Sequence, residues 1–287
     1  MQTLVVAAVQ MNAPVGQTEP NREAAVQWCK EAAREGAQLV CLPELAISGH
    51  WCAGDVWDVA EAVPDGETTQ TLASVARQLD MVISFGIAEK HDGIVYNTQV
   101  LVGPRGYLGK QCKLHMSGDE YFHYRPGSRI SVVDIGPCTV GIGVCYDSMF
   151  PEVARIAAVK GAEVYLMPHA ARFGEWSDDL QAQRDIVRRH KACHLKYYTS
   201  RAYDNGMFVV DCNQAGAAGP AANHAGGILI FDPDGDIVAE SQTEIIEDDM
   251  VICELRADAY DSRRRSRCFN LQTRRPEIYG DLAALGS

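Results

Sequence analysis

No apolar run in this chain approaches the roughly 20 residues that a membrane-crossing helix needs. Positive charge is scarce as well: 26 Lys and Arg stand against 38 Asp and Glu, a net charge of −12. So acidic a chain repels phosphate backbones and anionic lipid, which argues against nucleic acid or a membrane as the main partner. The one basic cluster, Arg263-Arg264-Arg265-Ser266-Arg267, is read as a solvated or interface segment. At the N-terminus there is no basic stretch and no small-residue cleavage site, so a secretory leader is not expected. Ten cysteines are present, but none forms Cys-x-x-Cys, and they are scattered through apparent strands and helices. That is neither a disulfide framework nor a zinc site, and reduced thiols in the cytoplasm are expected. Cys112, His115 and His123 lie close together at a spacing that fits no common metal pattern, so neither a metal nor another cofactor is expected.

What is present is an ordinary globular composition, 47% apolar and 22% charged. Residues 4–11, 37–42, 81–88 and 95–102 read as strands, and 21–36 and 68–79 as helices, with Asn21 a candidate N-cap. After a polar, aromatic loop at 110–129, strands are expected at 131–135, 139–144 and 162–167, with a helix between the last two. A long polar helix over 176–204 precedes strands at 207–212, 227–231, 237–240 and 250–255. Strands alternate with helices, and hairpin-like pairs stand between them, which predicts mixed sheets covered by helices. No linker, low-complexity tract or repeat divides the chain. One domain over 1–262 is expected, with 263–287 a tail that packs on a partner subunit.

Three strand ends or adjoining loops carry unusual polar residues. Glu44 closes Leu39-Val40-Cys41-Leu42-Pro43, Lys113 lies in Lys110-Gln111-Cys112-Lys113-Leu114-His115, and Cys145 ends Thr139-Val140-Gly141-Ile142-Gly143-Val144. In open α/β sheets, sites gather beyond the carboxyl ends of strands, so the three can meet. A glutamate can act as general base on a thiol, and a lysine can neutralise an oxyanion. Pro151-Glu152 then opens a helix, giving Cys145 the strand–turn–helix setting of an exposed nucleophile. Glu120 adds a second carboxylate. Spacing alone leaves open a bland alternative, with Glu44 capping a turn, Lys113 solvated and Cys145 in the core.

These residues resemble the nitrilase or carbon–nitrogen hydrolase superfamily, and the likeness covers nearly the whole chain. Pro43-Glu44-Leu45 with Ser48-Gly49, Lys113-Leu114-His115 with Pro126-Gly127, and Gly143-Val144-Cys145-Tyr146-Asp147 with Phe150-Pro151-Glu152 and Arg155 are similar to its three motifs. The resemblance implies an α/β fold, a four-layer αββα sandwich with two mixed β-sheets. It implies Glu44 as general base, Cys145 as nucleophile, and Lys113 with the backbone N–H of Tyr146 as oxyanion donors. Glu120 falls at the family's second glutamate. Tyr146-Asp147 follows the cysteine where nitrilases proper usually have Trp-Glu, which favours a small amide or N-carbamoyl substrate over a nitrile. A nitrilase, or a catalytically silent scaffold, is the alternative. His50, Trp51, Tyr121, His169, Arg172 and Trp176 are the candidate substrate contacts, and a homodimer or larger homo-oligomer is expected.

Overall fold

Seven successive residues at the N-terminus are nearly all apolar because the strand they form, β1 (Leu4–Gln10), is covered on both faces. Its even-numbered residues Val6 and Ala8 point into one apolar cluster, while Ala7 and Val9 point into another. The computed structural model describes residues 1–50, 56–219 and 222–284, so Trp51 lies outside the described residues. After β1 come β2 (Leu39–Cys41), β3 (Val82–His91), β4 (Ile94–Gly103) and β5 (Gly106–Cys112). The next strands are β6 (Val132–Asp134), β7 (Thr139–Ile142), β8 (Val164–His169) and β9 (Phe208–Asn213). The last are β10 (Ala215–Ala217), β11 (Asn223–Ala225), β12 (Ile228–Phe231), β13 (Ile237–Glu240) and β14 (Asp249–Leu255).

Two six-stranded sheets result, in the orders β14-β1-β2-β3-β4-β5 and β13-β12-β9-β8-β7-β6, and β10 and β11 form a separate ribbon. Both sheets are mixed: β1, β2 and β3 run parallel, as do β7, β8 and β9, while the flanking pairs are antiparallel. One apolar cluster joins Val6, Leu39, Val140, Leu166, Val210 and Ile230, and so lies between the two sheets. The outer face of the first sheet packs on α1 (Thr18–Arg34) and α2 (Glu67–Leu79). That of the second packs on α3 (Pro151–Val159) and α4 (Leu180–Asn205), where Tyr165 and Met167 of β8 meet Ala154, Ala157, Tyr198 and Ala202. The order is therefore helix, sheet, sheet, helix, the expected four layers. Each buried Leu, Val or Ile contributes about 1.5–3 kcal/mol by leaving water, so the sheet-to-sheet cluster and the one under α1 and α2 both hold the layers together.

Several local expectations differ from what forms. α1 begins at Thr18, and Asn21 sits inside it rather than capping it. Its amide instead donates to the carbonyls of Pro14 and Ile47, both at 2.9 Å, pinning the helix to the chain just after Glu44. Part of the expected loop is strand β5, because residues 106–112 hydrogen-bond along β4. The long helix starts at Leu180, where the Asp179 carboxylate accepts from the N–H groups of Gln181 and Ala182, and it ends at Gly206 in the left-handed region.

In the tail, residues without apparent periodicity form α5 (Ala257–Arg265). Arg263 stacks 4.2 Å from the centre of the Tyr203 ring and donates to the Tyr203 carbonyl, and Phe269 is buried. As far as Phe269, then, this segment packs on its own chain. Beyond it, Ile278 and Leu282 are exposed.

Candidate active site

Cys145 follows β7 on a turn that only a small neighbour permits. Gly143 crosses the Tyr165 ring so closely that a Cβ there would lie 2.1 Å from the phenol oxygen. Cys145 itself has φ +49°, a left-handed conformation that costs a non-glycine residue of order 1 kcal/mol and is retained where the surroundings enforce it. Asp147 enforces it. Its buried carboxylate accepts the N–H of Val144 at 3.1 Å and, across the cleft wall, the N–H groups of Leu114 at 3.1 Å and His115 at 2.8 Å. One side chain thus registers the cysteine turn against the residues directly after Lys113.

Glu44 is held with equal care. Leu45, next to it, has φ +49°, and the chain there lies flat across Gly86, where a Cβ would come within 2.1 Å of the Leu45 nitrogen. The glutamate is fully buried, and both of its oxygens accept hydrogen bonds. Oε2 accepts the Ala170 N–H at 2.6 Å; Oε1 accepts from Asn97 Nδ2 at 2.7 Å and Lys113 Nζ at 2.8 Å. Lys113 Nζ also donates to Glu120 Oε1 and Oε2 at 2.7 and 2.8 Å. Glu120 in turn accepts from the N–H and hydroxyl of Ser117, at 2.8 and 2.9 Å, as part of a capping box.

Glu44, His50 and Glu120 are the one group of three potential metal ligands among the described residues. The cation between these carboxylates is the Lys113 ammonium.

The charges explain how each group titrates. Burial alone would lower the Lys113 pKa, but negative charge at Cys145, Glu44 and Glu120 drives it well up, so the ammonium persists. Burial raises the Cys145 thiol well above its ordinary value; Glu44 adds to this by charge and as a hydrogen-bond acceptor, and Lys113 opposes it. The resting sulfur is therefore a thiol beside a carboxylate able to take its proton.

Glu120 goes the other way: burial would raise it, but His50 and Lys113 hold it far below its ordinary value of 4.5. A carboxylate depressed in the fold stabilises it fully above that ordinary value and loses the contribution as pH falls below it. The stability gap between wild type and Glu120→Gln, read from urea unfolding, should be roughly 3 kcal/mol at neutral pH and narrow steadily between pH 5 and about pH 3. A gap that does not change with pH would show that Glu120 is not ionised against Lys113.

Cys145, only partly buried, opens into a cleft of about 220 Å³. His50, His169 and Arg172 line it, as expected from sequence; so do Met149, His194 and Tyr197, which were not. Tyr121 is 57% exposed and absent from the lining, and Trp176 is turned away, donating from Nε1 to Asp178 at 2.9 Å. A larger cavity of about 580 Å³, beside Glu89 and Lys110, contains none of the Glu44–Lys113–Cys145 set. Asn97 was not among the residues expected at the site. Its role beside Glu44 follows from strand alternation and from the bulge-free pairing of Asn97 with Ala88.

A family model described as carbon–nitrogen hydrolase matches residues 5–265. A protein of Pyrococcus abyssi named nitrilase is 42% identical over 176 residues, covering 58% of this chain and 67% of that protein. The omega-amidase NIT2 of Bos taurus is 31% identical over 257 residues, covering 85% of this chain and 86% of that one. Among solved structures, a carbon–nitrogen hydrolase of Helicobacter pylori superposes with a TM-score of 0.85 at 22% identity, covering 99% of both chains. An amidase of Nesterenkonia, solved with the acetamide moiety of fluoroacetamide added covalently at its active-site cysteine, does so with a TM-score of 0.76 at 22% identity, covering 97% of each chain. Both share the fold described above.

Proposed function

This chain belongs to the carbon–nitrogen hydrolase family, and we propose that it is a cysteine-dependent amidohydrolase cleaving a non-peptide C–N bond of a small linear amide or N-carbamoyl compound. The observation that carries this reading is the single contact set in which Lys113 Nζ touches Glu44 at 2.8 Å and Glu120 at 2.7 Å, beside a thiol that opens into a small cleft.

The roles follow from the chemistry. Glu44 takes the Cys145 proton as Sγ attacks the carbonyl carbon. The oxygen that becomes negative is neutralised by the Lys113 ammonium and the N–H of Tyr146. Collapse of the tetrahedral adduct breaks the C–N bond; the leaving nitrogen takes its proton from Glu44, and a thioester remains. Water, deprotonated by Glu44, then attacks the thioester and frees the acid, or a carbamate that decomposes, and the thiol is restored. Glu120 keeps Lys113 charged throughout, and His50, His169 and Arg172 face the substrate.

Names among the relatives support both readings of the leaving bond. An omega-amidase supports amide cleavage, and the Pyrococcus protein's name makes nitrile hydrolysis the second reading. The two differ in the first adduct: an amide gives a tetrahedral adduct that expels its nitrogen directly, whereas a nitrile gives a thioimidate that must take up water before ammonia can leave.

The remaining parts of the reading concern setting. Residues 1–262 act as one hydrolase domain, and the tail from 263, packed on its own chain as far as Phe269, reaches a second copy through its far end, where Ile278 and Leu282 are exposed. No helix among the described residues is long and apolar enough to cross a membrane. The described cysteines are free thiols, which fits a reducing compartment such as the cytoplasm.

Ammonia release and intact mass, followed over a panel of small amides, N-carbamoyl amino acids and nitriles, test the proposal. An acyl adduct on the wild type that is missing from Cys145→Ala, together with ammonia from amides, is the expected result. Acid production from nitriles with amides untouched would select the second reading. Neither adduct nor ammonia from any compound would overturn both.

A further inference from the structure

Two glutamates and one lysine leave the catalytic centre with one negative charge over. Glu44, Glu120 and Lys113 are fully buried, and Cys145 rests as a neutral thiol. Among the ion pairs of the described residues, those of the two glutamates reach Lys113 and His50. A surplus charge out of water is costly, and such charges are paired where they persist.

His50 stands where the balancing charge is needed. It is 5% exposed, and its Nε2 lies 3.5 Å from Glu120 Oε1. Glu44, His50 and Glu120 each place one ligand atom within 4.8 Å of the other two, so one imidazole nitrogen is close to both carboxylates. The ring also lines the cleft beside Cys145 and Arg172. Four titratable groups face it from other elements: Glu44 after β2, Lys113 after β5 and bonded to both glutamates, Glu120 in the turn Gly118–Phe122, and His224 on β11, its ring centre 6.2 Å away.

Burial disfavours an imidazolium, and ionised carboxylates favour it. Other buried histidines show which influence wins in which setting. His169 and His194 have Asp211 at 3.5 Å, but burial pushes that carboxyl well up, and both rings fall below the ordinary imidazole range. His224 is held at about 3, by burial first and then by the charge of His50. Glu120 is different from Asp211: it takes Lys113 Nζ on both oxygens and the N–H and hydroxyl of Ser117, so its charge is present. His50 therefore faces a true carboxylate.

We propose that His50 is an imidazolium at neutral pH and the second counter-ion of Glu44 and Glu120, a positioning residue that acts through them. Its part in the reaction rests on the amidohydrolase reading. As Sγ bonds the acyl carbon, the thiol proton moves to Glu44, and the charge lost there reappears on the substrate oxygen. Two negative charges, on that oxygen and on Glu120, then still face two positive ones, on Lys113 and His50. With a neutral residue at position 50 the oxyanion would form in a centre that carries a surplus negative charge.

The charge can be read without turnover, from the carbon-13 resonances of the histidine rings across pH, with His50 assigned by its absence from His50→Gln. In wild type the His50 ring should be an imidazolium at pH 7, with a midpoint above the ordinary ~6.5. In Glu120→Gln that midpoint should fall by about one unit or more. A neutral ring at pH 7, or a midpoint that Glu120→Gln leaves in place, overturns the proposal.

The Cys145 thiol gives a second reading, which decides alone where Glu120→Gln fails to fold. At pH 7, alkylation of Cys145 by iodoacetamide should be slower in His50→Gln by on the order of tenfold, since a lost cation disfavours the thiolate, and the gap should close above the His50 midpoint. A packing role would leave the two rates equal or their ratio the same at every pH, and either result overturns the proposal. With a substrate, the kcat/KM deficit of His50→Gln should close over the same pH range. If no amide, N-carbamoyl compound or nitrile is turned over, the amidohydrolase reading fails while the resonances and the alkylation rates still decide the charge of His50.

Discussion

Replacing Glu44 with glutamine should lower hydrolysis by about three orders of magnitude while making Cys145 easier to ionise. The two effects have opposite signs because Glu44 performs two separable tasks. In the proposed mechanism it accepts the thiol proton and later returns it to the leaving nitrogen; general acid–base contributions of this kind are worth ~10²–10⁴ in rate. As a fixed negative charge it works against the thiolate: after burial itself, it is the next largest influence raising the Cys145 pKa. Glutamine keeps the shape and can accept either from the Ala170 N–H, which now binds Oε2 at 2.6 Å, or from Asn97 and Lys113, which share Oε1, but not from both sides at once.

The measurement is the rate of alkylation by iodoacetamide across pH, set beside the rate of ammonia release. In Glu44→Gln the alkylation midpoint should move to lower pH as turnover collapses. An unmoved midpoint would mean that Glu44 does not sense the thiol, and a midpoint moving up would reverse the electrostatic reading of the site.

Lys113→Met should produce the second large effect, and on stability as much as on rate. Both partners of this lysine are fully buried carboxylates, and it is the cation that touches both. Removing one member of a buried ion pair costs about 3–5 kcal/mol because the other charges are left uncompensated. Here two like charges would face each other, and one must take up a proton.

Turnover should fall by about 10³ or more with the loss of the oxyanion partner. Adding Glu120→Gln to Lys113→Met should recover a large part of the stability and none of the activity, which a double-mutant cycle reads directly. Additive losses in the double variant would show that Lys113 and Glu120 do not act as a unit. The thiol of Lys113→Met should also titrate at higher pH, since Lys113 now lowers it.

How much of this was legible in the sequence depends on whether a signal was local. Glu44 and Cys145 stand at the ends of apolar runs, where the change to polar residues is easy to locate, whereas Lys113 was found through its motif. The four layers were legible because β1 and β8 are apolar at nearly every position, both faces being covered. Two features hid β5. Its residues Lys110 and Gln111 look like loop, yet Lys110 pairs with Glu89 and Gln111 fastens the chain at Arg129, so polar residues on an edge strand serve as anchors.

The cleft wall was the least legible part. His194 and Tyr197 lie far from the three motifs in sequence and join the cleft only because α4 packs over β8 and β9. Trp176 and Tyr121 were drawn in by proximity to the motifs in sequence. Local geometry sends them outward, one to Asp178 and the other to the surface.

Glu44 and Lys113 follow β2 and β5 of one sheet, while Cys145 and Ala170 follow β7 and β8 of the other. Neither sheet alone carries both nucleophile and base. During synthesis, then, a chain that has formed only its first sheet is chemically inert, and a chain whose sheets have separated has an unassisted thiol like any other. Docking of the two apolar faces is the event that switches the chemistry on, so the reactivity of one sulfur atom reports, in a single reading, whether the last long-range step of folding is complete.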